Sequence, residues 1–387
     1  MSKAHTYKID CIVGARPNFV KIAPIMRAIA GRERLSARLI HTGQHYDVAM
    51  NAVFFEELGI PHPDINLEVG SGTGTEQTAR IMLGLEPVLM TQRPDVLLVV
   101  GDVNSTLAAA LVAAKHQIPL AHVEAGLRSN DRSMPEEINR LVTDRLSDIL
   151  FTTESSAIDN LVREGVERTR VAFVGNVMID TLYACLERAI PAHVTLAGID
   201  APSALTKAAL ENGFAFVTLH RPSNVDEPDK LAELLAALVA ISKKITLVFP
   251  MHPRTRATVT RLGLDHLIRD ARMIISPPLS YLRAIGLMRE AKFAITDSGG
   301  VQEETTALGT PCLTVRENTE RPITIEHGTN VLVGTSPQAL LAAVDDVLTN
   351  GGKKGRIPHL WDGKAAERIA EKIEIFIESR RVATISS

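Results

Sequence analysis

The feature that most constrains this chain is its repeated alternation of short apolar runs with longer segments of helical periodicity. Residues 9–13 form the first apolar run, residues 14–18 are its Gly- and Pro-containing turn, and residues 19–30 follow with helical spacing. This order is typical of βαβ units, in which helices join parallel strands. The pattern therefore predicts an α/β protein built on parallel sheets.

The apolar runs fall into two sets, which predicts two Rossmann-like, doubly wound domains. The first set contains residues 9–13, 39–41, 96–100, 120–123, 148–151 and 171–174. The second set contains residues 214–218, 246–249, 273–275, 293–296, 312–315 and 331–333. A chain of 387 residues is too long for one ordinary core,. We expect an N-terminal domain over 1–180 and a second over 181–363, with a linker near 190–203 and an amphipathic helix over about 364–387.

Composition removes several functional classes. A formal net charge of −3 and 4% aromatic residues supply neither the basic surplus nor the stacking platforms of a nucleic-acid binder,. No apolar run approaches the roughly 18 to 20 residues of a membrane span, and the first residues lack a signal-peptide core, so we expect a cytoplasmic protein with no membrane partner. Three cysteines, far apart in apolar surroundings, predict buried thiols and no metal cluster,.

In the first predicted sheet, charged residues follow the strands at the edge where open α/β sheets bind ligands. Arg16 and Lys21 lie at the start of the first helix, where a phosphate or carboxylate is favoured, or where they are simply solvated,. Asp102 follows the strand over 96–100, either as an acid/base group or as a helix N-cap,. Glu124 follows the next strand and Glu136 opens the next helix. If these strands are neighbours, the three carboxylates converge, which would raise the pKa of at least one.

The second predicted sheet carries the residues of an anion site. His220 and His252 each follow a strand in a turn that also contains Arg. The segment 296–304 joins a strand to a helix through Ser298, Gly299 and Gly300, whose small side chains let backbone N–H groups approach a phosphate,. Two further guanidinium groups stand within residues 316–321.

Ten short motifs occur in a fixed order along nearly the whole chain. They are Gly14-Ala15-Arg16-Pro17, Thr42-Gly43-Gln44-His45, Gly101-Asp102, His122-Val123-Glu124-Ala125-Gly126-Leu127-Arg128, Pro135-Glu136-Glu137-Ile138-Asn139-Arg140, Gly175-Asn176, Leu219-His220-Arg221, His252-Pro253, Asp297-Ser298-Gly299-Gly300-Val301-Gln302-Glu303-Glu304 and Thr319-Glu320-Arg321-Pro322. This ordered set resembles the non-hydrolysing UDP-N-acetylglucosamine 2-epimerases.

The resemblance implies a glycosyltransferase-B-like pair of Rossmann-like domains, an active site in the interdomain cleft, and a C-terminal helix that packs back onto the first domain. It implies reversible C2 epimerisation of UDP-N-acetylglucosamine to UDP-N-acetylmannosamine, by anti elimination of UDP to 2-acetamidoglucal and re-addition, with no cofactor or metal. It also implies a homodimer.

The same resemblance assigns roles to single residues. Asp102, Glu124 and Glu136 are its acid/base candidates, and His220 would stabilise the departing diphosphate. The implied substrate contacts are Arg16, Lys21, His252, Ser298, Gly299, Gly300, Glu304 and Arg321, with Glu304 expected on the ribose hydroxyls.

Other functions remain open from the sequence. The short segment between Arg128 and Pro135 resembles the branch of the family that contains epimerases of UDP-2,3-diacetamido-glucuronate. A nucleotide-sugar glycosyltransferase could use the same scaffold, because fold alone does not decide function. Hydrolysis to free N-acetylmannosamine and UDP is a third possibility, and a non-catalytic sugar-nucleotide sensor is a fourth. Three carboxylates favour elimination and re-addition, since a transferase needs at most one base.

Overall fold

The computed structural model describes residues 5–44, 48–269 and 271–385. His45, which belongs to one of the ten motifs, lies outside these residues. The chain forms two compact units: unit 1 combines the residues up to Ala184 with those from His359 onward, and unit 2 is Cys185–Pro358.

Unit 1 alternates strands and helices almost without exception. Its strands are β1 (Tyr7–Val13), β2 (Leu35–His41), β3 (Ile65–Asn66), β4 (Val96–Val100), β5 (Leu120–Val123), β6 (Ile149–Thr152) and β7 (Val171–Phe173). Its helices before the division are α1 (Arg16–Ala30), α2 (Val48–Leu58), α3 (Gly74–Thr91), α4 (Asn104–Lys115), α5 (Pro135–Leu146), α6 (Ser155–Arg163) and α7 (Val177–Leu186), whose last turn enters unit 2.

The sheet of unit 1 is parallel, in the order β3-β2-β1-β4-β5-β6-β7. All five residues of β4 are buried, which explains its uninterrupted apolar sequence, since helices cover both faces of such a sheet. The direction of strand progression reverses between β1 and β4, and open α/β sheets bind ligands at this reversal,.

Unit 2 repeats the same plan. Its strands are β8 (Phe214–Thr218), β9 (Thr246–Pro250), β10 (Met273–Ser276), β11 (Phe293–Thr296), β12 (Cys312–Thr314) and β13 (Asn330–Leu332). Its helices are α8 (Ala192–Ala197), α9 (Ser203–Asn212), α10 (Pro222–Val225), α11 (Pro228–Ser242), α12 (Pro253–Arg261), α13 (Asp265–Ile268), α14 (Tyr281–Glu290), α15 (Gly299–Leu308), α16 (Pro322–Glu326) and α17 (Pro337–Asn350). The parallel order β10-β9-β8-β11-β12-β13 reverses between β8 and β11.

The last helix, α18 (Ala365–Ile385), belongs to unit 1. Asp180 of α7 accepts hydrogen bonds from the N–H groups of Ala365 and Ala366 at 3.1 and 2.7 Å, which caps the start of α18. Arg32 and Glu374 form an ion pair at 2.7 Å further along the helix. The second half of α18 is therefore tied to the chain segment that follows α1.

The two Rossmann-like sheets confirm the predicted fold class, but several local predictions differ from the structure, among them β2, which begins at Leu35 and not at residue 39. The strand β3 was missed because it has only two residues and no apolar run. Residues 190–203, predicted as a linker, contain α8, whose Ala192, Thr195 and Leu196 are buried. Among the residues that the structure describes, no helix combines the length and the apolar character needed to cross a bilayer.

Candidate active site

The turn after β1 is held rigidly at the reversal point of the first sheet. Asn18 accepts hydrogen bonds from the N–H groups of Gly14 and Ala15 at 3.1 and 3.2 Å, and donates to the carbonyl of Val100 at 3.0 Å. A Cβ atom on Gly14 would lie 1.9 Å from the hydroxyl of Ser105, so no larger residue fits there. This turn is therefore joined to the end of β4.

The charged residues of that turn have different surroundings. The guanidinium of Arg16 lies 4.7 Å from the ring centre of Phe54, a cation–π arrangement that orients it,. The ammonium of Lys21 is buried and forms an ion pair with the buried carboxylate of Glu124. Lys21 is thus not a solvated surface residue, which was one of its two interpretations.

Glu124 and Gly101 share an unusual local geometry. Glu124 has a left-handed backbone with φ of 73°, a conformation that non-glycine residues seldom adopt outside functional sites,. Gly101 has φ of 67°, and a Cβ atom there would lie 2.8 Å from the Lys21 nitrogen and 3.6 Å from a Glu124 oxygen. The turns after β4 and β5 therefore pack closely around the Lys21–Glu124 ion pair.

Asp102 pairs with a cation from α5. Its carboxylate lies 2.5 Å from the guanidinium of Arg140, which is almost fully buried and also pairs with buried Glu137 at 2.7 Å. The N-cap of α4 is Val103, with no side-chain capping bond. The N-cap alternative for Asp102 is therefore wrong, because its carboxylate is directed to Arg140 instead.

Glu136 opens α5 one turn before Arg140. It is half-buried, and within the described ranges its side chain has no hydrogen bond or ion pair. Residues four apart are neighbours on a helix surface, so Glu136 lies on the same face as the cation that pairs with Asp102. Asp102 thus pairs with Arg140, which follows Glu136 by one turn of α5, while Glu124 lies close to Gly101, the residue before Asp102.

Two residues that sequence reasoning left without a role complete this arrangement. Glu137 accepts hydrogen bonds from the N–H groups of Ser129 and Asn130, both at 3.0 Å. Burial disfavours its charge, but these bonds and Arg140 outweigh that cost and lower the pKa of Glu137. The i,i+3 spacing of Glu137 and Arg140 was a readable signal, although nothing in the sequence pointed Arg140 at Asp102.

At the reversal point of the second sheet, Asp297 organises the turn that carries His220. Its carboxylate accepts from the N–H groups of His220 and Arg221 at 3.0 and 2.9 Å, and lies 3.1 Å from Nδ1 of His220. Burial opposes ionisation of Asp297, but its bonds to His220 and to the backbone outweigh burial and lower its pKa. A carboxylate on Nδ1 orients the ring of His220 and directs Nε2 away from Asp297,.

His252 lies beside His220, with ring centres 5.5 Å apart. As the N-cap of α12, it accepts the N–H of Arg254 on Nδ1 at 3.2 Å, which leaves the proton on Nε2. His252 is exposed and His220 is half-buried. Both predicted histidines therefore stand at one edge of the second sheet.

A buried ion cluster lies against the start of α15. The carboxylate of Glu320 pairs with Arg316 at 2.7 Å, with Arg221 at 3.4 Å and with the adjacent Arg321, whose Nε also lies 2.9 Å from Glu303. Burial disfavours the charge of Glu320, but the three guanidinium groups outweigh it and hold its pKa well below the usual range. Three guanidinium groups and two carboxylates therefore meet beside the start of α15.

Gly299 is required for this packing. A Cβ atom there would lie 2.4 Å from a nitrogen of Arg321, which the ion cluster holds in place. Ser298 is the N-cap of α15 and donates its N–H to the Thr296 hydroxyl at 2.9 Å. Ser298, Gly299 and Gly300 thus place the N-terminus of α15 beside the guanidinium group of Arg321, which suits a phosphate,.

Glu304, one turn into α15, is buried beside buried Tyr281. Burial raises the pKa of Glu304 to about 8, with a smaller contribution from neighbouring Glu303. Glu304 is therefore a neutral carboxylic acid at neutral pH, able to donate as well as accept. Within the described part of the chain, no group of three metal-ligating side chains occurs.

Comparison with known proteins shows which family this chain resembles. The family profile described as UDP-N-acetylglucosamine 2-epimerase matches residues 27–374. A protein of that name from Methanocaldococcus jannaschii is 40% identical over 365 residues, covering 94% of this chain and 97% of its own length. A UDP-2,3-diacetamido-2,3-dideoxy-D-glucuronate 2-epimerase from Pseudomonas aeruginosa is 41% identical over 371 residues, covering 94% and 98%.

Solved structures agree with these matches. A crystal structure of Methanocaldococcus jannaschii UDP-GlcNAc 2-epimerase in complex with UDP-GlcNAc and UDP is 38% identical, has a TM-score of 0.85, and covers 95% of this chain and 99% of its own. A UDP-GlcNAc 2-epimerase from Neisseria meningitidis bound to UDP-GlcNAc is 27% identical, with a TM-score of 0.82 and coverage of 95% and 99%.

Proposed function

Because the chain belongs to the UDP-N-acetylglucosamine 2-epimerase family, its reaction is the reversible C2 epimerisation of that UDP-sugar, and we propose a route through elimination and re-addition of UDP. A base removes the C2 proton, the C1–O bond breaks, and UDP leaves with the bonding electrons to give 2-acetamidoglucal. UDP then adds back at C1 as the opposite face of C2 receives a proton. No electron leaves or enters, so the route needs no redox cofactor.

We assign the proton transfers to unit 1. Asp102, Glu124 and Glu136 are the candidate acid and base groups, and the first two are already paired with Arg140 and Lys21. In each pair the cation lies directly beside a carboxylate that we propose as an acid or a base. The observation that carries the proposal is that the ion pairs of Asp102 and Glu124 both lie at the turn of Gly101.

We assign leaving-group stabilisation to unit 2. His220, whose ring is oriented by Asp297 through Nδ1, is proposed to direct its Nε2 to the departing diphosphate. The N-terminus of α15 at Ser298, Gly299 and Gly300, with the guanidinium group of Arg321 beside it, supports phosphate binding there,. His252 is proposed as a further phosphate contact, and neutral Glu304 as the partner of the ribose hydroxyls. In unit 1, Arg16 and Lys21 are proposed as further substrate contacts.

The test is incubation with UDP-N-acetylglucosamine in D₂O without acceptor or NAD, followed by proton NMR. We expect deuterium at C2 and appearance of the UDP-manno epimer. Asp102→Asn and Glu124→Gln should abolish exchange with UDP affinity retained, and His220→Ala should slow it, since acid/base groups each contribute about 10² to 10⁴-fold. Wild-type turnover in a carboxylate variant would remove that residue from the mechanism.

UDP-2,3-diacetamido-glucuronate is the second candidate substrate, because one relative of similar identity is named for it. A parallel incubation with that sugar nucleotide decides between the two. Exchange only in that incubation would identify the diacetamido sugar nucleotide as the substrate and would leave the proposed C2 epimerisation unchanged. No exchange with either sugar, but transfer to an added acceptor, would favour a glycosyltransferase.

We further propose a cytoplasmic homodimer. Cys11, Cys185 and Cys312 are buried thiols, which suits a reducing compartment,. The dimer rests on the family resemblance. Light scattering after size-exclusion chromatography should give about twice the chain mass of 42.0 kDa,, and a monomer mass would contradict it.

A further inference from the structure

A buried imidazole connects the turns that carry Asp102 and Glu124. His122, the third residue of β5, is fully buried. Its Nδ1 lies 2.6 Å from an oxygen of Asp144, and its Nε2 lies 2.8 Å from the carbonyl oxygen of Gly101. Both ring nitrogens therefore face oxygen atoms at hydrogen-bond distance.

The oxygen atoms beside the two ring nitrogens determine how many protons the His122 ring and Asp144 share. A carbonyl oxygen can only accept, so Nε2 must donate to Gly101. The contact of 2.6 Å between Nδ1 and Asp144 needs one more proton. The guanidinium of Arg128 lies 2.8 Å from Asp144 and favours its ionised form, which puts that proton on the ring,.

Charges around the ring balance. Asp144 also pairs with Arg128 at 2.8 Å, and Arg128 pairs with Glu164 at 2.6 Å. An imidazolium and a guanidinium are thus matched by two carboxylates, so each charge has an opposite charge beside it that offsets its desolvation,. This pairing of opposite charges stabilises a charged His122 ring in a buried site, where an isolated cation would lose its proton.

The second oxygen of Asp144 extends the connection. It accepts the N–H of Gly126 at 3.0 Å, and Gly126 stands two residues after Glu124. Through Gly101 the ring holds the turn of Asp102, and through Asp144 it holds the turn of Glu124. Because both ring nitrogens are occupied by protein partners, His122 acts through these turns.

We propose that His122 is a buried imidazolium that positions the two proton-transfer carboxylates relative to each other. The inference deepens the proposed function and rests on it for its kinetic part. A displacement of about 1 Å at reacting groups costs on the order of 10²-fold in rate. Loss of the ring should therefore lower kcat and leave KM and UDP affinity nearly unchanged.

The charge state is tested on the wild-type protein without substrate. Long-range proton–nitrogen NMR of protein labelled with ¹⁵N in its histidine rings distinguishes an imidazolium from a neutral ring. We expect both nitrogens of His122 to be protonated at pH 7.5, with the signal assigned by its loss in a His122 variant. A neutral ring would overturn the proposal, and this result does not depend on which sugar the enzyme uses.

Positioning is tested with two variants that each keep half of the connection. The amide of His122→Asn can replace the Nδ1 donor to Asp144, and that of His122→Gln can replace the Nε2 donor to Gly101. We expect C2 exchange to fall about 10²-fold in each, with KM within about threefold of wild type. The matched control is His116→Gln, at the end of α4, where the ring pairs with the exposed Glu86; it should exchange normally.

Thermal unfolding separates positioning from folding. If the variants melt near the wild-type temperature and exchange at the wild-type rate, the positioning role is wrong. If KM rises in parallel with the loss of kcat, the ring does not act through the carboxylates and the proposal fails. Absence of exchange in the wild type would instead refute the proposed function, and the ring NMR would still decide the charge state.

Discussion

At the scale of single residues, unit 1 depends on a buried ion pair between Lys21 and Glu124. Removing one partner of such a pair leaves an uncompensated buried charge, which typically costs about 3 to 5 kcal/mol. We expect Lys21→Met to destabilise unit 1 by roughly that amount, and Lys21→Met with Glu124→Gln to recover part of it. Chemical denaturation of the single and double variants measures the coupling, and additive effects would contradict it.

A second residue-scale prediction concerns Glu304, whose pKa of about 8 exceeds the ordinary 4.5. The folded state then binds this proton more tightly than the unfolded state. The resulting stability is fully present below pH 4.5 and is lost as pH rises through about 8,. Between these two pH values, Glu304 should lower the free energy of unfolding by about 1.4 kcal/mol for each unit by which the pH rises.

Glu304→Gln should remove that slope, as measured by urea titrations at several pH values in this range. The control is Glu233→Gln, which changes an exposed carboxylate on α11 and should keep the wild-type pH dependence. Equal slopes in wild type and Glu304→Gln would show that this carboxyl ionises normally in the folded state.

At the scale of elements, the start of α18 depends on one carboxylate. Burial raises the pKa of Asp180 to about 6, so it is ionised at pH 7.5, where it caps Ala365 and Ala366. Asp180→Ala should cost about 0.5 to 2 kcal/mol, the usual range for a lost cap. Thermal melting at pH 7.5 tests this, with Asp159→Ala on the exposed face of α6 as the control. An unchanged melting temperature would exclude a capping role.

The elements also show what the sequence could predict. Long apolar strands such as β4 and β8 were located to the residue, because burial on both faces requires an unbroken apolar run,. Charged residues at strand ends were identified from the same logic. The side chains that pair with those residues could not be predicted. Arg140 and Asp102 are 38 positions apart in the sequence, and hydrophobic periodicity gives no signal for such a pair.

At the scale of the whole molecule, the two units differ in how the chain builds them. Unit 2 is continuous from Cys185 to Pro358 and has its own apolar core, which includes Phe249 and Phe293. We therefore expect the fragment 185–358 to fold alone, with cooperative thermal unfolding by circular dichroism. It should also bind UDP if our assignment of the phosphate ligands to this unit is right. Non-cooperative unfolding of the fragment would contradict its independence.

Unit 1, by contrast, takes α18 from beyond the whole of unit 2. During synthesis on the ribosome, the surface that receives α18 is made first and covered last. The part of unit 1 up to Ala184 therefore lacks its last helix while about 170 further residues are synthesised,. Packing of unit 1 is therefore completed only after the whole of unit 2 has been synthesised,.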